Sequence, residues 1–318
     1  MSIVFQTVGI LTTVQDLGRT GFRRFGINPN GAMDRAAARL VNILLGNTEA
    51  ESVLEMHFPA PKILFKEAAK IALGGADFAA QINGKEIENW RPIFVESRSV
   101  LSFARKIFGN RCYLAVAGGF EIESWLGSAS TNLKAGIGGW RGAKLSKSDE
   151  LFFKENSSGE TQKANVRISK SLIPPYGFLP TVRVTTGVEF ENLNARSRKI
   201  FETRNFKIRH ESDRMGFRLA GENLRLKKPL ELISSAVNFG TIQLLPDGQL
   251  IILMADYQTT GGYPRVANII SRDLPLVAQL GAGDQLNFKI VSLAKAEKLL
   301  LELEKDLNLL KTACRFLC

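Results

Sequence analysis

The chain has 318 residues, 45% of them hydrophobic, enough for one large domain or two ordinary ones with full cores. No apolar run reaches the roughly eighteen residues of a membrane span, so no membrane role is expected. The first residues, Met1-Ser-Ile-Val-Phe-Gln-Thr-Val, lack the basic region and cleavable apolar core of a secretory signal. Cys112, Cys314 and Cys318 form no metal or disulfide framework, and the expected compartment is the reducing cytoplasm. The formal net charge is +11, and twelve Lys/Arg against six Asp/Glu lie between Arg183 and Lys228. A basic region can hold nucleic acid, phosphates or small carboxylates, and a solvated basic surface explains it equally well. Without a zinc finger, RNA-recognition signature or clear helix-turn-helix, nucleic acid is not an expected partner.

Ile3 to Leu11 reads as a strand. A Gly- and Arg-rich loop follows from Gln15 through Arg19 to the Asn28-Pro29 turn and Gly31. Met33, Ala36, Ala37, Leu40, Val41 and Leu44 then fall at helical spacing, with Gly46-Asn47 as the stop. Asp34 stands at the helix start, where a carboxylate caps orphan amides; the same helix end is a natural anion site, so Arg19 and the loop amides could face a ligand. From Glu51 to Phe153 short apolar runs alternate with turns, including an Asn83-Gly84 hairpin signal. Many short strands with few helices predict a barrel or sandwich.

Residues 154 to 165 are almost wholly polar and read as an exposed linker, which places an N-terminal β domain at 1–165 and a second at 166–291. The second half opens with a strand at Val182, a helix near Asn194 to Glu202, and a strand from Phe206. The polar turn Ser212-Asp-Arg-Met-Gly-Phe-Arg218 leads into another strand, and a short helix spans Asp273 to Leu280 with Pro275 in its first turn. Leu145-xxx-Asp149-x-Leu151-x-Phe153 recurs as Leu280-xxx-Asp284-x-Leu286-x-Phe288, a sign of duplicated β units. In the tail, 292–318, Leu293, Ala296, Leu300, Leu303, Leu307, Leu310, Cys314 and Leu317 trace an a/d seam. That predicts an amphipathic helix packed on the body or on a partner chain.

The stretch from Ala255 to Arg265 carries the most chemistry. The apolar run Leu250 to Met254 delivers it and Val266 to Ile270 carries the chain away. Between two buried strands it sets Asp256, Gln258, Thr259, Thr260 and Arg265 beside a Gly261-Gly262 pair that permits close approach. The bland alternative is a wet hairpin turn. The chain has no Gly-x-x-x-x-Gly-Lys-[Ser/Thr] phosphate loop, no zinc-protease His pair and no cysteine motif suggesting a nucleophile. With only His57 and His210, a histidine triad has few candidates. Asp, Arg, Gln and Thr remain, residues that position a small polar substrate and stabilise negative charge.

Several stretches together resemble one family: Val14-Gln-Asp-Leu-Gly-Arg19 with Gly31-Ala-Met-Asp34; Leu114-Ala-Val-Ala-Gly-Gly119 with Leu126-Gly-Ser-x-Ser-Thr131; Ser212 to Arg218; and Ala255-Asp-x-Gln-Thr-Thr-Gly-Gly-Tyr-Pro264. Between about residues 3 and 290 the chain resembles the KipA family, also described as allophanate hydrolase subunit 2-like, associated with the C subunit of prokaryotic ATP-dependent 5-oxoprolinase. The resemblance implies a mostly β protein of tandem cyclophilin-like β-barrel domains with a few short helices and a C-terminal amphipathic helix. It implies as partners a KipI-like B subunit and a LamB/YcsF-like A subunit, and a small lactam substrate opened to glutamate. ATP would serve the assembled complex, with no Walker A motif and no cofactor evident on this chain, which is expected to be inactive alone. It also leaves open a KipA-type regulator that binds a KipI-like kinase inhibitor, and the carboxyltransferase half of a biotin-dependent urea carboxylase-like system. The biotinyl Met-Lys-Met of such fusions is missing here. On this resemblance Asp256, Arg19, Arg214 and Asp34 are candidate catalytic groups. Gln15, Gln258, Thr259, Thr260 and Arg265 are candidate substrate contacts, and no metal ligands are expected. The cations suit a substrate carboxylate and the negative charge of a phosphorylated lactam. Asp256 or Asp34 could orient water or an amide proton.

Overall fold

A computed structural model describes residues 1–154 and 167–317. The polar linker read at 154–165 therefore lies, beyond Lys154, outside the described residues. The chain is mostly β, and the described residues hold four α-helices: α1 (Arg35–Leu44), α2 (Ala195–Thr203), α3 (Leu274–Ala278) and α4 (Leu293–Leu317). It divides into two compact units. Unit 1 takes Met1–Arg19, Asn30–Ile173 and Lys305–Cys318; unit 2 takes Thr20–Pro29 and Pro174–Glu304.

In unit 1 the strands form two sheets. One runs in the order Glu150–Phe152, Ser2–Thr7, Lys62–Phe65, Val100–Phe103, Ala80–Ile82, Lys85–Glu86. The other runs Thr12–Gln15, Val53–Met56, Phe108–Val116, Ala69–Asp77, Pro92–Val95. The chain crosses repeatedly between the two sheets, after Asp77 and between Phe103 and Phe108 among other places, and the register of the Phe108–Val116 strand against Ala69–Asp77 slips between Phe108 and Cys112. Alternate residues of both sheets, among them Ile3, Phe5, Val14, Leu54, Phe65, Leu73, Leu114 and Leu151, share one buried core. The Asn83-Gly84 turn has both residues at positive φ (51° and 79°), as a two-residue hairpin requires. Gly74, opposite Tyr113, has Val41 of α1 within 2.7 Å of where a Cβ would sit, so the helix lies close on that strand.

Unit 2 is a closed barrel in the order Thr181–Thr186, Arg265–Ile269, Thr241–Leu244, Leu250–Leu253, Gly216–Ala220, Phe206–Ile208, Gln285–Ile290. Gln285–Ile290 closes the ring by pairing in parallel with Thr181–Thr186, Val182 opposite Phe288. Asn194 caps α2 by accepting from the Ser197 amide at 2.8 Å. Phe201 of that helix stacks on Phe288 with centroids 4.7 Å apart, sealing the barrel with an aromatic plug.

The repeat read from sequence has a structural counterpart. In unit 1 Asp149 accepts from the Ser146 amide (2.7 Å), and Ser148, at φ 72°, donates to the Phe5 carbonyl (2.8 Å). In unit 2 Asp284 accepts from the Gly281 amide (2.8 Å), and Gly283, at φ 93°, donates to the Ile208 carbonyl (2.9 Å). Each half thus uses one Asp-capped turn to aim a strand into its sheet.

The heptad seam forms one helix, α4, but only its last turns are buried by this chain. Leu307, Leu310 and Cys314 are covered, while Leu293 is 66% exposed. Lys311 reaches Glu49 at 3.1 Å, and Glu49 also holds Arg39, so the helix end is pinned to unit 1 by charge as well as by leucines. Among the described residues no helix is long and apolar enough to cross a membrane.

Candidate functional site

The strand Leu250–Leu253 ends where Met254 donates to the Met215 carbonyl (3.0 Å), which brings the Ala255–Arg265 loop of unit 2 beside the Ser212–Arg218 turn. There Arg214 grips Asp256 with two hydrogen bonds, Nε to Oδ2 at 2.9 Å and Nη2 to Oδ1 at 3.0 Å. The Asp256 amide donates back to the Arg214 carbonyl at 2.8 Å. The two side chains are 7% and 12% exposed, so this bidentate pair is largely withdrawn from water. Segment Thr20–Pro29 stitches the same region. Asn28 donates to the Asp256 carbonyl (3.1 Å), and Arg23 donates to Asn238 Oδ1 (2.7 Å) and to the Val237 carbonyl while lying over the Tyr257 ring. Beyond Asp256, Gln258 and Thr260 are exposed and Thr259 is half-buried. Arg265 is tied to Glu189 through Nε (3.1 Å) and Nη2 (2.8 Å). Those hydrogen bonds hold the Glu189 carboxyl below its usual range although burial opposes it.

Unit 1 holds the other candidates in a buried polar network. Asp16 is its hub. Its carboxylate accepts from Gly18 N (2.6 Å), Ala129 N (2.6 Å), Ser128 Oγ (2.7 Å) and Ser130 Oγ. Arg19 is 2% exposed. It donates to Asn30 Oδ1 (2.7 Å) and to the Ser130 carbonyl (2.6 Å), and stacks over Trp125. Gln15 lies on the same loop through Thr13 Oγ1 (3.0 Å) and the Thr131 carbonyl (3.4 Å). Its Oε1 has no hydrogen-bond partner among the described residues. Glycines let the 136–139 turn lie against this loop: a Cβ at Gly138 would come within 2.9 Å of Arg19 Nη2, and one at Gly139 would overlap Thr131 Oγ1.

Asp34 caps α1, accepting from the Ala37 amide at 2.9 Å. Its own amide donates to the Tyr113 hydroxyl (2.8 Å), which donates to Glu55 (2.7 Å); Glu55 also accepts from the Met33 amide (2.9 Å). Burial, and then the Glu55 and Asp34 carboxylates, push the Tyr113 hydroxyl well above its ordinary range, so it stays protonated and can donate to Glu55. Sequence reasoning singled out Asp34 and missed Glu55 and Tyr113. The one available signal was a carboxylate in the apolar strand Val53–Met56, whose residues are all buried.

Arg214 with Asp256, and Arg19 with Gln15, are thus brought together within units 2 and 1 respectively, while Arg265 is drawn to Glu189 and Asp34 to the helix start. The arrangement offers fixed guanidinium and amide donors, hydroxyls and buried carboxylates, a set suited to orienting a small polar molecule and to meeting developing negative charge. Among the described residues no group of three or more His, Cys, Asp or Glu is placed to hold a metal ion.

Comparison with known proteins agrees with this architecture. The model of the carboxyltransferase domain, subdomain A and B, matches residues 25–290. The chain is 38% identical over 287 residues to the 5-oxoprolinase C subunit of Haemophilus influenzae, covering 90% of each chain. It is 36% identical over 291 residues to the 5-oxoprolinase C subunit of Escherichia coli, covering 91% of each. The solved K. lactis urea amidolyase superposes with a TM-score of 0.90 at 27% identity over 97% of this chain, which spans 20% of that larger protein. The chain belongs to the family of carboxyltransferase domains, subdomain A and B, and is related over nine-tenths of its length to proteins named as the C subunit of 5-oxoprolinase.

Proposed function

We propose that this chain is the C subunit of an ATP-dependent 5-oxoprolinase that opens the lactam of 5-oxo-L-proline to L-glutamate in complex with a KipI-like B subunit and a LamB/YcsF-like A subunit. One observation carries the reading: the match to a 5-oxoprolinase C subunit spans 90% of both chains, whereas the chain is a fifth of the urea amidolyase it resembles. In this reading ATP phosphorylates the lactam oxygen and leaves as ADP, water attacks the activated carbonyl carbon, and collapse expels the ring nitrogen as the amine, leaving a side-chain acyl phosphate that a second water hydrolyses to glutamate and inorganic phosphate. The developing anion needs fixed positive donors, and Arg214, locked by Asp256, supplies a pre-set guanidinium. Gln258, Thr259 and Thr260 are the substrate-positioning hydrogen bonders, on a loop held by two barrel strands. The Arg19–Asp16–Ser130 network keeps the glycine-rich turn of unit 1 in shape, with Gln15 and Asp34 as further contacts.

The test is reconstitution. The chain plus its A and B partners, given 5-oxo-L-proline and ATP, is expected to release glutamate and ADP together, and each component omitted is expected to abolish this. Assembly without turnover would instead match a KipA-type regulator. A carboxyltransferase in a urea carboxylase-like system is the reading favoured by the urea amidolyase superposition. It requires a biotinylated carrier, and activity that appears only with such a carrier would displace the 5-oxoprolinase assignment.

A further inference from the structure

Beside the Asp256 loop, unit 2 carries a surface ribbon whose backbone is thinly held and whose large apolar side chains face water. Ser235–Ala236 pairs with Thr260–Gly261 through two residue pairs, Ser235 with Gly261 and Ala236 with Thr260, and the Val237 amide donates to the Thr259 carbonyl (3.2 Å), a ladder too short to be stable alone. The strap leading into it lies on the glycine turn: a Cβ at Gly262 would be 3.4 Å from the Leu232 carbonyl oxygen and 3.5 Å from Ser234 Oγ. At the crest Ile233 is 93% exposed, flanked by Tyr263 at 43% and Leu230 at 38%. The patch continues along bonded neighbours. Arg265 Nη1 donates to the Ala236 carbonyl, and Arg265 also holds Glu189, next to Val188, which is 78% exposed. Asn192 donates to the Glu189 carbonyl (3.1 Å) and accepts from the Lys227 amide (2.8 Å), which brings the exposed Lys227 and Lys228 to the rim. Val237 anchors one end of the ribbon in the core, and exposed Glu231 interrupts the lysine rim, but an apolar crest edged by two lysines on so short a ladder is the surface of a protein that meets another.

We propose that this ribbon docks a different chain of the assembly, one that offers an apolar hollow to Ile233 and carboxylates to Lys227 and Lys228, and that docking fixes the Thr259–Gly262 turn. The choice of a different chain rests on the proposed function: the relatives are named as one subunit of an enzyme, and the lysine rim on a chain of net charge +11 disfavours a second copy of itself. The ribbon's partner thereby shapes the substrate-positioning loop, and the site is incomplete in the isolated chain.

The full-length chain is co-expressed with its A and B partners and followed by size-exclusion chromatography with light scattering and by titration, as wild type, Ile233→Glu and Lys227→Glu/Lys228→Glu. These side chains are exposed, so the thermal midpoint is expected to match wild type; the lysine variant carries the test if Ile233→Glu misfolds. The wild type is expected to co-elute with a partner, Ile233→Glu to weaken association at least tenfold, and the lysine variant to weaken it with a shallower salt dependence. Wild-type affinity in both variants overturns the proposal, as does a wild type that binds neither partner. So does an effect confined to self-association, which would make a second copy the occupant. The two readings fail separately. A complex that assembles through Ile233 but releases no glutamate removes the enzymatic assignment and leaves the docking face. An active complex indifferent to both variants removes the docking face and leaves the assignment.

Discussion

Replacing Arg214 by Met tests whether the loop that bears Asp256 depends on its ion pair. Arg214 gives Asp256 two charge-assisted hydrogen bonds at 2.9 and 3.0 Å, and the side chains are 7% and 12% exposed. Methionine fills much of the same volume but leaves a carboxylate in a mostly dry setting. Removing one partner of a buried pair costs about 3–5 kcal/mol. The 12% of Asp256 still in water places this case near the lower figure. For a domain of this size, about 3 kcal/mol lowers the thermal midpoint by roughly 6–12 °C. The double variant Arg214→Met/Asp256→Leu removes the stranded charge and is expected to recover part of the loss, with a coupling energy of roughly 1–3 kcal/mol in a double-mutant cycle from urea unfolding. Single costs that add within about 0.5 kcal/mol would refute the reasoning, because uncoupled groups are the ones whose effects add.

Two further outcomes follow from the same physics. Glu189 has its carboxyl held below the ordinary 4.5 by Arg265, so the pair stabilises the fold at pH above that value and the contribution disappears as pH falls through the lower folded-state pKa. Glu189→Gln is expected to cost roughly 1.5–3 kcal/mol at pH 7 and progressively less below pH ~4.5, seen as converging urea midpoints in an acid series. A gap independent of pH would mean that packing, not charge, is lost. In α4, Leu307→Ala is expected to cost about 2–5 kcal/mol, since the side chain is 1% exposed, while Leu301→Ala, at 70%, stays within about 0.5 kcal/mol. Equal costs would mean that the helix is not seated by its last turns.

The mostly β architecture was legible because strand periodicity and turn residues speak locally: Asn83-Gly84 announces its hairpin, and Asp149 and Asp284 mark equivalent turns. The helices were legible for the same reason, Asp34 and Asn194 each standing where an orphan amide needs an acceptor. Partnerships made across long sequence separations were not. Nothing near Asp16 states that it will gather Ser128 and Ser130, more than a hundred residues away, and nothing near Glu189 selects Arg265. The basic stretch Arg183–Lys228 shows the same limit. Several of its cations, Arg183, Arg198 and Arg209 among them, are spent on acids of unit 2, so formal charge overstates the field available to a ligand. The seam of α4 showed the opposite limit: its spacing predicted a helix correctly, but spacing carries no information on which turns find a neighbour, and Leu293 did not.

The glycine-rich turn of unit 1 separates two roles that a sequence pattern merges. Gly136 and Gly139 both sit at positive φ, 66° and 54°. A Cβ at Gly136 would meet nothing within 4 Å, whereas one at Gly139 would overlap Thr131 Oγ1 and crowd Thr131 Cβ at 2.9 Å. Gly136→Ala should therefore cost only the left-handed backbone term, about 1–2 kcal/mol. Gly139→Ala must also displace Thr131, whose hydroxyl donates to the Val14 carbonyl at 2.8 Å and whose neighbour Ser130 accepts from Arg19. The added loss is about 1–3 kcal/mol for each buried bond broken. It should be visible locally, because Arg19 lies 5.1 Å from the Trp125 ring centroid and its displacement alters that indole's surroundings. Tryptophan emission is thus expected to shift in Gly139→Ala and to stay put in Gly136→Ala. Identical stabilities and spectra would show that both glycines serve backbone freedom alone, and that the close approach of the turn to Thr131 and Arg19 does not constrain the network around Asp16.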